Sequence, residues 1–148
     1  MLRRLALLAI LTTTLPLLAA NLGSAPMNID GFTLELLSVE RKGSVLTVKW
    51  AVRNDSQKSN TVTLKLANKD ATSYIVDEES GTKYYALMDK EGHLLATEHE
   101  YGGIWESIAA GQTKRFWAKF PAPPPAVKTI NVFFSETEPF ESIAITDK

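Results

Sequence analysis

The stretch Val45-Leu46-Thr47-Val48-Lys49-Trp50-Ala51-Val52-Arg53 decides the fold. Leu46, Val48, Trp50 and Val52 fall on one side of an extended chain, and Thr47, Lys49, Ala51 and Arg53 on the other, because side chains alternate at period two in a strand. One face of this segment meets a core and the other mostly meets water, the signature of an antiparallel sheet packed on one side. Working outward, Thr61 to Leu66 repeats the pattern with Val62, Leu64 and Leu66 inward. Phe116, Ala118 and Phe120 alternate with Trp117 and Lys119, and Ile130, Val132 and Phe134 alternate with Asn131 and Phe133. No window of a dozen residues carries a helical repeat, so the chain after its leader reads as all-β.

Phe32 to Val39 is strand-like, but its apolar phase changes between Leu36 and Leu37, which predicts a bulge or a strand that switches sheets. Tyr74 to Val76 and Lys83 to Leu87 flank the polar run Asp77 to Gly81 and predict a hairpin. Asp89 to Gly92 reads as a tight turn and Ile143 to Ile145 as a short closing strand. Further turns are expected at Arg41 to Gly43, Asn54 to Asn60, Asn68 to Ala71, Ala110 to Gln112 and Pro121 to Pro125. About seven to nine short strands at such spacing predict a two-sheet antiparallel β-sandwich. The run Pro121-Ala122-Pro123-Pro124-Pro125 reads as a stiff connection between strands, because proline cannot donate to a central ladder.

At the N-terminus, residues 1–20 read as a signal peptide. Arg3 and Arg4 supply positive charge, Leu5 to Leu18 an apolar stretch broken at Pro16, and Ala19-Ala20 small residues for cleavage. The stretch is too interrupted to span a bilayer, which takes about 20 apolar residues. No cysteine stands near the cleavage point, so a lipid anchor is not expected. This predicts an exported, soluble protein, periplasmic or secreted, with an N-terminal segment over 21–29 and one sandwich domain over 30–148. Removing Arg3 and Arg4 from the 16 basic residues leaves 14 against 17 acidic ones, a formal charge of about −3. That balance argues against nucleic acid or an anionic lipid surface as the main partner, since both demand a basic footprint. The absence of cysteine removes disulfides, thiolate metal sites and cysteine nucleophiles together.

Motifs for chemistry are absent: there is no G-x-S-x-G elbow, no phosphate-binding loop and no dinucleotide glycine fingerprint. The sequence therefore predicts no enzyme and no cofactor. His93 and His99, with Met88, Glu98 and Glu100 nearby, are weak candidates for a copper or zinc site, and surface histidines in loops account for the same letters. Asp77, Glu78 and Glu79 lack the spaced oxygen ligands of a calcium loop and read as a solvated hairpin tip.

Aromatic residues are the stronger signal. Glu98 to Trp105 joins Tyr101 and Trp105 across the Gly102-Gly103 pair, and this loop either presents both rings to a protein or sugar, or folds back to plug one end of the sandwich. Trp50 belongs to the core face of its strand, whereas Trp117 shares an outer face with Lys119. Tyr84 and Tyr85 are adjacent and must point opposite ways, so one of them faces outward and can join Trp117 in a surface patch.

Leu46 to Asn54, then Tyr74 to Asp77 with Ser80 to Tyr84, then Ala109 to Gln112 before Phe116 to Pro121, resemble the uncharacterised exported immunoglobulin-like domains of bacterial envelopes, some of which occur beside OmpA-like peptidoglycan-binding domains. The resemblance covers most of residues 30 to 146. It implies an immunoglobulin-like sandwich with a non-enzymatic envelope role, and it carries no site residues. The sequence reading is thus an exported interaction module that binds another envelope protein. A glycan or peptidoglycan binder using Tyr101, Trp105 and Trp117 is the alternative.

Overall fold

A computed structural model describes residues 21–67, 72–97 and 102–148. The leader over 1–20, the expected turn at Asn68 to Ala71, and Glu98 to Tyr101 with His99 lie outside the described residues. The described residues form eleven strands and no helix: β1 (Gly23–Pro26), β2 (Phe32–Lys42), β3 (Val45–Asn54), β4 (Asn60–Lys65), β5 (Tyr74–Val76), β6 (Lys83–Tyr84), β7 (Gly103–Ile108), β8 (Thr113–Pro121), β9 (Thr129–Phe133), β10 (Phe140–Ala144) and β11 (Thr146–Asp147). Among the described residues no helix is long and apolar enough to cross a membrane.

The largest sheet runs β1-β2-β3-β8, with β11 also pairing β2; a second runs β10-β9-β5-β6, and β4 pairs β7 in a third. All of these pairings are antiparallel except β11 on β2. Lys65 at the end of β4 ties the two smaller sheets together. Its amide donates to the Ser135 hydroxyl and its carbonyl accepts from the Ser73 amide, at the open end of the β5–β9 pair.

The three sheets enclose one apolar core, as in a β-sandwich. Leu46, Val48, Trp50 and Val52 of β3 are buried in it, as the alternation requires, together with Val62 and Leu64 of β4, Ile104 and Ile108 of β7, and Ile130 and Val132 of β9. Trp50 sits at the centre, its ring 5.0 Å from that of Phe134 and 6.0 Å from that of Phe116, with no exposed surface. Burying an indole removes about 200 Å² from water, on the order of 5 kcal/mol at ~25 cal/mol per Å². Its Nε1 finds no hydrogen-bond partner, a local cost within that gain.

The phase change in β2 is a bulge: the register with β3 shifts between Leu36 and Ser38, which lets Leu34, Leu36 and Val39 all reach the core. The strand then runs on through Arg41 and Lys42, where a turn is expected from the sequence, and the chain reverses at Gly43, whose φ of 58° suits a residue without Cβ. Residues 23–26, read as part of a segment ahead of the domain, are a strand of the largest sheet.

Arg41 explains both the longer strand and the order of the proline run. Its guanidinium is 4% exposed. It donates to the carbonyls of Pro124 at 2.9 Å, Val127 at 3.1 Å, and Pro123 and Pro125 at 3.3 Å. It also forms a fork with the Asp147 carboxylate, Nε–Oδ1 2.6 Å and Nη2–Oδ2 3.1 Å. Prolines lack amides but keep carbonyls, and one planar five-donor group gathers four carbonyls of this loop. The same fork holds β11 in parallel register on β2.

Candidate functional site: the open edge carrying Trp105

Gly103 begins β7 because nothing larger fits there: a Cβ on it would stand 2.6 Å from the Leu64 carbonyl oxygen. Gly102 precedes it at φ 82°, and its carbonyl accepts the amides of both Leu66 and Ala67, which docks the start of β7 onto the end of β4. At the far end, Asn54 is fully buried and satisfied on every side-chain atom. Its Nδ2 donates to the carbonyls of Ile108 and Lys58 at 2.8 Å each, and its Oδ1 accepts from the amide and hydroxyl of Ser56. Between these anchors Ile104 and Ile108 face the core. Glu106, on the same side, forms an ion pair with Lys114 of β8 that links two sheets.

Trp105 points the other way and is 66% exposed, the most exposed large apolar side chain among the described residues. Thr63 stands directly across from it on β4, with Ser107 two residues along the same face. The sequence reading extends the aromatic loop through Trp105 and allows its ring to plug the sandwich. Instead the loop ends at Gly102 and the ring lies in solvent on a strand.

Tyr101 lies outside the described residues, and Trp117, Tyr84 and Tyr85 do not converge on Trp105. Trp117 lies on the outer face of β8, opposite Lys49, 38% exposed, with the Lys119 ammonium 5.9 Å from its ring. Its backbone is sealed: the amide donates to the Thr97 hydroxyl at 2.7 Å, and the carbonyl accepts the Thr97 amide at 2.9 Å. Tyr84 turns inward and packs on the core, while Tyr85 is 49% exposed. Tyr85 meets Tyr74 at 5.9 Å, and Tyr74 stacks on Phe133 at 4.8 Å beneath the Lys83 ammonium. This cluster covers the outer face of β5 and β9, and no ring contact among the described residues joins it to Trp117. The sequence reading missed Tyr74 as a surface aromatic, although the outward phase of Phe133 pointed to that face.

Polar groups near the other candidates have structural work. Asp89 accepts the His93 and Glu91 amides and the His93 ring nitrogen at 3.1 Å, and these bonds, the His93 amide first, hold its carboxyl below the usual range. Asp77 closes its hairpin by accepting from the Ser80 hydroxyl at 2.7 Å and the Glu79 amide at 3.0 Å, with its pKa lowered chiefly by Ser80. A cleft of about 320 Å³ lies between Asp77 to Glu79 and Ala126 to Thr129. Among the described residues no group of three histidine, aspartate or glutamate side chains is placed to hold a metal ion.

The backbone of β7 adds what the side chains alone do not show. Leu66 donates to Gly102, whereas Thr61 donates to the Asn60 side chain and Lys65 to Ser135, so even positions of β4 bond to β7 and odd ones turn away. In an antiparallel ladder the partner strand follows the same alternation. Ile104, Glu106 and Ile108 therefore bond to β4, and the amides and carbonyls of Gly103, Trp105 and Ser107 point outward, where no described residue meets them. The chain matches no protein-family model, no curated protein and no solved structure.

Proposed function

We propose that this chain is an exported immunoglobulin-like β-sandwich that works as a non-enzymatic interaction module, binding another protein of the cell envelope through the surface around Trp105. The leader-like first twenty residues support export, and the antiparallel sheets around one core support the sandwich. The observation that carries the binding reading is Trp105 itself. A tryptophan with two-thirds of its surface in water contributes little to the core and makes an effective anchor when a partner buries it. Among the described residues its same-face neighbours on the β4–β7 pair are Thr61, Thr63, Lys65 and Ser107, with no carboxylate or amide side chain of the kind that flanks sugar-binding rings, which favours a protein partner over a glycan.

The test is photo-crosslinking in living cells from a photo-reactive residue at position 63, directly across from Trp105. The reading expects one abundant envelope protein, captured at least tenfold less when Trp105→Ala is added. Capture of glycan fragments, or no product above background, overturns it. Trp105→Ala is expected to change stability by no more than about 0.5 kcal/mol, as surface substitutions do, so a loss of capture reports on binding.

A further inference from the structure

We propose that β7 is a strand-addition site: an extended segment of the partner polypeptide pairs with the outward edge of Gly103, Trp105 and Ser107 and lengthens the β4–β7 sheet by one strand. The inference rests on the interaction-module reading above and specifies how the partner is held.

An exposed edge offers donors and acceptors at a two-residue repeat, and an extended polypeptide backbone is the ligand whose own groups recur at that repeat. Such edges invite unwanted pairing, and the other edges of this fold are blunted. The strand β1 has four residues and ends in Pro26, and β6 and β11 have two each. In β10 the register breaks between Phe140 and Ile143, and Ser142 takes φ 52°. The outer edge of β8 is occupied at Trp117 and Lys119 by the segment from Leu87 to Thr97. On β4, the outward amides of Thr61 and Lys65 are bonded to Asn60 and Ser135.

By contrast β7 presents six residues without proline, bulge or covering segment among the described residues. Its one charged side chain, Glu106, is held by Lys114, so its charge is compensated where it faces inward. Trp105 stands at the middle of the three outward-bonding positions, where its ring can cover the side chain of the paired residue.

Ser107→Pro tests the pairing. The Ser107 amide points away from β4, so proline takes no ladder bond from the fold, yet it removes a donor and places its ring in the path of an added strand. In the crosslinking experiment from position 63, capture is expected to fall at least tenfold in Ser107→Pro, with the melting temperature nearly unchanged. A second readout needs no variant. The captured segment, added as a synthetic peptide to the purified wild-type protein, should slow exchange of the Trp105 and Ser107 amides at least tenfold. Undiminished capture by Ser107→Pro, or unchanged exchange, overturns strand addition while leaving the module reading intact. Capture of a second copy of this chain overturns the partner assignment, and capture of no protein at all removes both readings.

Discussion

Replacing Arg41 with methionine keeps the bulk of the stem and deletes the guanidinium that organises the proline loop and the C-terminal strand. Five acceptor residues lose their donor. The carbonyls of Pro124, Pro125 and Val127 are partly buried and regain water, so their loss is cushioned. The Pro123 contact is buried, and an acceptor left there without a donor costs about 1–3 kcal/mol. Losing the fork to Asp147 also releases β11, which has only two residues on β2. Together these put the destabilisation at about 3 kcal/mol, the upper end of that range, because Asp147 is 54% exposed and is left in water and not as a stranded buried charge. For a domain of this size each kcal/mol shifts the melting temperature by about 3–4 °C, so Arg41→Met should melt about 10 °C lower by circular dichroism or scanning calorimetry. Arg41→Lys should recover little, because an ammonium keeps the charge but not the planar fork. Melting of both variants within about 2 °C of wild type would refute the idea that this one side chain orders the loop.

Three further outcomes follow from the packing and charges. Gly103→Ala should destabilise the protein by about 1–3 kcal/mol in urea titrations, since its Cβ would press on the Leu64 carbonyl and part β7 from β4. Trp50→Ala should cost about 3–5 kcal/mol, whereas Trp50→Phe should cost far less, because it removes a buried indole N–H that has no partner; equal losses in the two variants would contradict this. Asp147, Asp55 and Glu40 all have lowered pKa values, from Arg41, Arg53 and Lys148 respectively. A depressed carboxyl adds stability above its unfolded pKa and loses it as pH falls through the folded one. The melting temperature should therefore hold from neutral down to about pH 4 and fall below it, and Arg41→Met should flatten the part due to Asp147.

Much of the fold was legible because burial writes itself into alternation. In β3, β4, β8 and β9 the inward positions away from the strand ends are apolar, and each strand lies where that pattern puts it. Even the irregularity in β2 was readable, since a change of phase inside a buried strand requires an extra residue. The short elements left no such trace. Two residues of β11 and two of β6 cannot show a period, and the contacts that hold β11 come from Arg41, more than a hundred positions away. An arginine beside a turn glycine gives no sign that it will be buried under a proline loop. Strand β7 was obscured by its own start: Gly102-Gly103 signals a loop, and only the 2.6 Å approach to Leu64 shows that the second glycine is a strand residue chosen for lack of a side chain. Trp105 stands out in the sequence as an aromatic beside a glycine pair, and the structure exposes its ring. Whether it plugged the sandwich or faced water turned on strand phase, which a loop reading cannot supply.

The account depends most on the outer edge of β7 being unoccupied in the isolated protein, and residue-resolved amide hydrogen exchange measures that directly. The amides of Ile104 and Glu106, bonded to β4, should be protected, while those of Trp105 and Ser107 should exchange at least tenfold faster. Equal protection at all four positions would mean that the edge is already paired, and would contradict the account.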